Sequence, residues 1–171
     1  MAIEPGSVLQ AHDLGITVEI RATGASTAGA YAEFDLIGRP RGIITLPHLH
    51  EAQSERHEVI EGELRLSIDG RKHRLGPGDA MTVPPGARHI QRPGKKPGPM
   101  RVRVRHEPAG NSDAFVERLA ELSATGGYDR FGMPKPKSAA RLLRDFGEHR
   151  APFPSARVQR MLARALWRRG A

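Results

Sequence analysis

The sequence predicts an all-β sandwich or barrel followed by a short α-helical appendage. Between about residue 10 and residue 107, short runs alternate apolar and polar side chains, as strands with one buried face do. Signals rich in glycine and proline separate these runs and indicate turns. After Pro108 the apolar residues recur at helical spacing instead. We therefore expect a β domain over residues 1–107 and a helical extension over residues 108–171.

The predicted strands are short and evenly distributed. The alternating runs are Ile16–Arg21, Tyr31–Leu36, Glu58–Ile60, Leu64–Ile68, Met81–Val83 and Met100–Arg105. The turn signals between them are Asp69-Gly70, Gly76-Pro77-Gly78, Pro84-Pro85-Gly86 and Pro97-Gly98-Pro99. Many short strands with such turns are typical of sandwiches and barrels.

Helices are predicted at three places after the strands. The first begins at Asn111 or Ser112 and ends at Gly126-Gly127, where two glycines stop it. The second begins at Ser138 and the third at Pro154-Ser155. Their apolar faces consist of Phe115, Leu119 and Leu122, then Leu142, Leu143 and Phe146, and then Val158, Leu162 and Leu166.

Composition excludes several classes of protein. The 171 residues include no cysteine, so a disulfide framework, a thiolate zinc site and a cysteine nucleophile are all excluded. Of the formal charge of +8, residues 138–171 contribute +6, through eight arginines against Asp145 and Glu148. Because the rest is near balance, we expect no nucleic-acid partner. We see neither a signal peptide nor a membrane span and expect a cytoplasmic protein.

The last predicted helix carries a stripe of arginines. Arg157, Arg160, Arg164 and Arg168 recur at helical spacing beside the apolar stripe. Such a helix can lie on a membrane surface or contact nucleic acid. The interpretation we favour is an amphipathic helix packed on its own barrel or on a partner subunit, with its arginines in solvent. We expect the chain to form a homodimer.

Three histidines and a glutamate form a candidate metal site. His48 and His50 lie two residues apart, so in an extended strand they point to the same face. Glu55 begins the next strand, and His89 follows a sharp Pro-Pro-Gly turn from which it can complete the set. Three imidazoles and one carboxylate suit iron, manganese, nickel, copper, cobalt or zinc better than magnesium or calcium. The sequence therefore predicts one divalent transition metal ion.

The segment that contains these residues closely resembles the two motifs of the cupin family. The first motif is met by Gly42, His48, His50, Glu55 and Gly62, and the second by Gly78, Pro84, Gly86 and His89. Where the family's second motif, here residues 78–93, often ends in asparagine, this chain has Pro93, which bears on loop geometry and not on metal binding.

The resemblance covers about residues 30–106. It implies a cupin-type jelly-roll β-barrel, a metal held by the four residues, and structural turns at Gly42, Gly62, Gly78, Pro84 and Gly86.

Three further residues are candidates for contact with a small-molecule substrate. His57 shares the face of Glu55, so it is either a proton-transfer or substrate-orienting residue or a partner that orients a ligand. Gln91 shares the face of His89 and is either a donor to a substrate oxygen or a polar residue at the barrel mouth. Arg103 binds an anionic substrate if it faces inward with Arg101 and Arg105, although the alternating valines favour an outward direction. His12, His73, His106 and His149 are expected at the surface.

Three functions remain open. A redox metal with three histidines and one glutamate can leave positions for O2 and an organic substrate, as in the dioxygenases that the resemblance suggests. Alternatively, the metal acts as a Lewis acid in an isomerase, cyclase or decarboxylase, with His57 as base. The third hypothesis is a binding module without turnover. We favour the oxygenase.

Overall fold

The structure is a computed structural model that describes residues 3–146 and the backbone of His149–Arg150. Within these residues the strands are β1 (Val8–Ala11), β2 (Ile16–Ala22), β3 (Ala32–Gly38), β4 (Leu49–His50), β5 (Ser54–Glu61), β6 (Leu64–Ile68), β7 (Arg71–Leu75), β8 (Ala80–Val83), β9 (His89–Pro93), β10 (Met100–Glu107) and β11 (His149–Arg150). Short 3₁₀ helices occupy His12–Leu14 and Gly42–Thr45. The predicted third helix lies outside the described residues.

The strands form antiparallel sheets around a shared apolar core. A six-stranded sheet has the order β1-β2-β3-β10-β5-β8, a three-stranded sheet has the order β7-β6-β9, and β4 pairs with β11. Val18, Val59, Val102 and Leu66 are almost fully buried in the core that both larger sheets contribute to. The predicted all-β fold with a helical appendage is confirmed.

Alternation of side-chain direction along the central strands β10 and β5 determines which residues face the interior. In β10, Val102 and Val104 are buried while Arg101, Arg103 and Arg105 stay partly exposed on the other face. In β5 the buried residues are Glu55, His57 and Val59, which lie two positions apart on one face. In these two strands, polar residues thus face inward at Glu55, His57 and His106, and the other inward residues are apolar.

Two of the strands that were not among the predicted alternating runs, β1 and β7, form through pairing with a neighbouring strand. In β7 four of the five residues are Arg71, Lys72, His73 and Arg74, and only Leu75 is buried. This strand forms because Asp69 and Gly70, both with positive φ, turn the chain back onto β6. Charged side chains on such an edge strand oppose pairing with further chains. The short β1 pairs with β2 in the same antiparallel manner.

The two described helices pack into the barrel core. Helix α1 (Ser112–Ala124) begins where it was predicted, and its Val116, Leu119 and Leu122 belong to the same buried cluster as the strand valines. Helix α2 (Pro136–Asp145) begins two residues before Ser138, because Pro136 is well suited to a first helical turn. The change from strand to helix falls between Glu107 and Ser112. Among the described residues, no helix has the length and hydropathy needed to cross a bilayer.

Glycines at the turns allow close packing of the backbone. Gly42 has φ 68° and its Cα lies against the backbone of Gly132, so a side chain there would collide with it. Gly62 has φ 80° and faces the backbone of Pro99 and Met100. Both conformations disfavour any residue with a Cβ. Gly78 and Gly86 also have positive φ, and Pro84 accepts the hydrogen bond that closes the turn before β9.

Candidate metal centre

Three strands bring the four predicted ligands together. His50 ends β4, Glu55 lies near the start of β5, and His89 begins β9. His48 precedes β4 and bridges to β9 through two backbone hydrogen bonds with His89, of 3.0 and 2.8 Å. Backbone pairing therefore fixes the positions of His48 and His89 relative to each other without a contribution from a metal ion.

The ligand atoms converge on one small volume. One donor atom from each of His48, His50, Glu55 and His89 lies within 4.8 Å of the other three. The Oε2 atom of Glu55 is 2.6 Å from Nε2 of His89 and 3.3 Å from Nε2 of His50. His50, Glu55 and His89 are buried, whereas His48 is partly exposed. The four residues that the sequence predicts are thus brought together by the structure.

Hydrogen bonds to carbonyl groups orient two of the imidazoles. Nδ1 of His48 donates to the Leu46 carbonyl oxygen at 3.0 Å, and Nδ1 of His89 donates to the Ala87 carbonyl oxygen at 3.1 Å. A carbonyl oxygen only accepts, so Nδ1 carries the proton and Nε2 of the neutral ring offers its lone pair. Three imidazoles and a carboxylate in this arrangement fit a divalent transition metal ion.

The electrostatic environment keeps the carboxylate ionised. Burial alone would raise the pKa of Glu55, but His57, His106 and His50 outweigh burial and hold the pKa well below its usual range. Removal from water, assisted by His89, lowers the pKa of His48 to about 3. Burial also acts to lower the pKa of His89, but its contact with the Glu55 carboxylate raises it. At neutral pH the site therefore holds an anion and at least one imidazole in the metal-binding, neutral form.

His57 lies behind the carboxylate. Its side chain is fully buried, and its Nε2 is 3.4 Å from Oε1 of Glu55. It shares the inward face of Glu55 as the alternation predicts, but it is absent from the residues that line the neighbouring cavity. This placement favours the interpretation in which His57 orients a ligand.

His106 is a site residue that the sequence reasoning missed. It was expected at the surface, yet it is 4% exposed and its Nε2 lies 3.4 Å from Oε1 of Glu55. Its Nδ1 is hydrogen-bonded to Oγ of Ser112 at 2.6 Å, which joins the site to the start of α1. The sequence did contain a signal for this position, because alternation along β10 places His106 on the same inward face as Val102 and Val104.

A cavity of about 290 Å³ adjoins three of the four candidate ligands. Its wall includes His48, His50, Glu55, Gln91 and His106 as polar residues. The remaining described lining residues are apolar and come from β2, β3, β10, both helices and the segments around residues 43–47 and 133–134. Gln91 is 7% exposed and lies in the cavity wall, as its shared face with His89 predicts.

Arg103 faces away from this cavity. Its guanidinium group pairs with Asp35 on the outer face of the six-stranded sheet, with Nε 2.9 Å from Oδ1 of Asp35. Arg101 and Arg21 bind the same carboxylate. The structure therefore removes Arg103 from the candidate substrate-binding residues, because the valines that alternate with it take the inward positions.

Two of the other histidines lie apart from the candidate ligands. His12 is exposed, and His73 is partly exposed on the edge strand β7. The backbone of His149 pairs with that of His50, and its side chain lies outside the described residues. Of the three histidines that were expected at the surface and whose side chains the structure describes, His106 is thus the one that lies at the site.

Comparison with known proteins identifies the fold. Residues 39–102, which contain all four candidate ligands, match the family model described as "Cupin domain". The chain is similar in structure to KdgF from Halomonas sp., with 23% identity, a TM-score of 0.52, and coverage of 66% of this chain and 97% of that chain. It is also similar to an RmlC-like cupin from Shewanella frigidimarina, with 19% identity, a TM-score of 0.50, and coverage of 63% and 87%. No curated protein matches the chain.

Proposed function

Because the chain belongs to the cupin superfamily, we propose that it is a metal-dependent enzyme with one divalent transition metal ion bound by His48, His50, Glu55 and His89. We further propose that the enzyme is an oxygenase acting on a small organic substrate. The observation that carries this proposal is the convergence of four donor atoms from four residues, three of which (His48, His50 and Glu55) line a cavity large enough for such a substrate.

Carbonyl groups and side chains of this chain orient the residues that would bind the metal ion and the substrate. The carbonyl groups of Leu46 and Ala87 fix the direction of two imidazoles, while His57 and His106 contact the Glu55 carboxylate from behind and beside it. The largely apolar cavity wall excludes bulk water from the substrate. A bound redox metal would supply positions for O2 and the substrate, and it would accept and return electrons.

A second candidate is non-oxidative chemistry, in which the metal is a Lewis acid. The observation in its favour is His106, an imidazole in the cavity wall that is not one of the four proposed ligands. Because His106 lines the cavity and His57 does not, His106 is the better candidate of the two for contact with a bound substrate. A protein that binds ligands without turnover is the third outcome to be distinguished.

Metal analysis of protein purified without a histidine tag tests the metal site first. We expect one equivalent of a transition metal in the wild type and its loss in His50→Ala. His73→Ala is the matched control, because His73 lies on β7 and outside the ligand cluster. Equal metal content in wild type and His50→Ala would refute the ligand assignment.

Nitric oxide, an analogue of O2, tests the oxygenase proposal before a substrate is known. Added to the anaerobic ferrous protein, it should produce the electron paramagnetic resonance signal of a high-spin ferrous nitrosyl, and His50→Ala should not show this signal. A ferrous protein that gives no such signal has no position open to O2, which would contradict an oxygenase. Once a substrate is found, turnover by the zinc-loaded protein without oxygen would favour the Lewis-acid alternative.

A further inference from the structure

The cavity beside the metal centre has an uneven distribution of polar groups. Its polar wall consists of the imidazoles and carboxylate of the centre together with Gln91. Among the described lining residues there is no lysine or arginine, so the described part of the wall contains no permanent cation. The three arginines that could have faced inward lie on the opposite side of β10.

The two helices build one side of the apolar part of the wall. Phe115, Val116 and Leu119 of α1 and Leu142 of α2 lie opposite strand residues such as Phe34. A charged group placed among these side chains would lose its hydration without gaining a counter-charge, which is strongly unfavourable. The body of any ligand that fills this part must therefore be uncharged and apolar.

Gln91 indicates what the polar end of the ligand carries. The Oε1 atom of its amide is buried and accepts no hydrogen bond from the described part of the chain. A buried acceptor without a donor is unfavourable, and a ligand that donates to it removes that cost. Because Gln91 lies in the cavity wall, an O–H or N–H group on the ligand would satisfy this atom once the amide turns toward the cavity.

We propose that the substrate class of this centre is an amphiphilic molecule: an uncharged apolar body, about the size of two fused aromatic rings, with a hydrogen-bond donor at one end. This inference rests on the proposed function, since it describes the ligand of the same site. The volume of about 290 Å³ is near the lower end of small-molecule pockets, which sets the size. The donor lies at Gln91 and the metal ligands, and the body lies between the helices and the sheet.

Two matched probes test the charge of the body. Naphthol has a hydroxyl donor on an apolar bicyclic body, and hydroxynaphthalenesulfonate, with the sulfonate para to the hydroxyl group, adds a charge to that body. Isothermal titration calorimetry on the full chain should show naphthol binding at least tenfold more tightly. Equal or tighter binding of the sulfonate would overturn the inference, and so would a failure of both probes to bind.

A substitution in the cavity wall should invert this preference. Leu143 on α2 is a partly buried lining residue, so Leu143→Arg adds a cation beside the ligand body. We expect it to raise the affinity for the sulfonate at least tenfold. Leu9→Arg is the matched control, because Leu9 is also partly buried but lies outside the cavity wall. An unchanged sulfonate affinity in a folded Leu143→Arg protein would place the ligand body elsewhere.

The donor is tested separately, so that the inference does not depend on the folding of the arginine variant. Methoxynaphthalene has the shape of naphthol but no hydrogen-bond donor. The wild type should bind naphthol about tenfold more tightly than this ether, and Gln91→Leu should bind both equally. A preference that survives in Gln91→Leu would show that Gln91 does not accept the donor.

Metal content, measured on the same samples, separates this inference from the proposed function. A metal-free protein that still prefers naphthol would leave the ligand class standing and refute the metal-dependent enzyme. A metal-loaded protein that prefers the sulfonate would refute the ligand class and leave the metal-dependent enzyme standing.

Discussion

Two buried carboxylates lie on opposite faces of the same sheet, and their surroundings differ in kind. Asp35, on the outer face, is bound by the guanidinium groups of Arg21, Arg101 and Arg103. Glu55, on the inner face, is surrounded by imidazoles. Guanidinium groups stay charged at every physiological pH, whereas imidazoles change between charged and neutral forms.

The comparison indicates why one cluster is structural and the other is a candidate site. The protein itself supplies the cations that Asp35 needs, so that cluster has no requirement for a further ion. The imidazoles around Glu55 can release their protons and offer lone pairs, and a bound cation then replaces the lost positive charge. The inner cluster is therefore the one that a cation from outside the chain would complete.

The largest expected effect is stabilisation of the inner cluster by metal. A metal at about a thousandfold excess over its Kd should raise the free energy of unfolding by about 4 kcal/mol in the wild type. Glu55→Gln should lose most of this increment, because the amide does not supply the negative charge. Thermal unfolding with and without added metal measures it.

Asp35→Asn is the matched control for that variant. It removes a buried carboxylate of similar exposure on the other face, so its metal-dependent increment should equal that of the wild type. A lost increment in Asp35→Asn would mean that the two clusters are coupled through the sheet.

Asp35→Asn should itself be less stable than the wild type at pH 7, by less than the metal-dependent increment. Three arginines lose their shared anion, but they are 36, 30 and 33% exposed, so water compensates in part. We expect a loss of about 2 kcal/mol, the scale of hydrogen bonds to a charged group. Urea unfolding measures it, and a difference near zero would show that the cluster is fully solvent-screened.

Acid should remove this difference between Asp35→Asn and the wild type. Burial raises the pKa of Asp35, but Arg103, Arg101 and Arg21 outweigh burial and lower it below its usual value. A carboxyl whose pKa is lowered by folding stabilises the protein above its unfolded pKa, about 3.9, and stops doing so as the pH falls through its folded pKa. The stability difference should therefore persist down to about pH 4 and shrink below it. A constant difference across this range would contradict the assignment.

The smallest predicted effect concerns the partner of Glu55 that lies on β10. His106→Leu should weaken metal affinity by about tenfold, because the carboxylate loses an orienting contact while all four ligands remain. His12→Leu serves as the control, since His12 is exposed. Competition with a chelating dye measures the affinities, and equal values in both variants would leave His106 without a positioning role.

Much of the β domain and of the metal site could be predicted because both depend on short-range patterns. Alternation along β10 indicated which residues share a face, and the two motifs identified His48, His50, Glu55 and His89. The edge strand β7 was missed because its charged residues show no alternation, and its pairing depends on a turn. His106 was missed because its neighbour Glu55 is about fifty residues away in the chain.

The sequence by itself determined which residues share a face in the alternating strands and which four residues form the candidate metal site, because side-chain direction in a strand repeats every two residues. Tertiary structure decided the rest. The register that places His106 opposite Glu55 is a property of two strands paired together, and neither strand contains it alone. Likewise, the helical side of the apolar cavity wall exists because α1 and α2 pack onto the sheet, and that packing shapes the space beside the candidate metal centre.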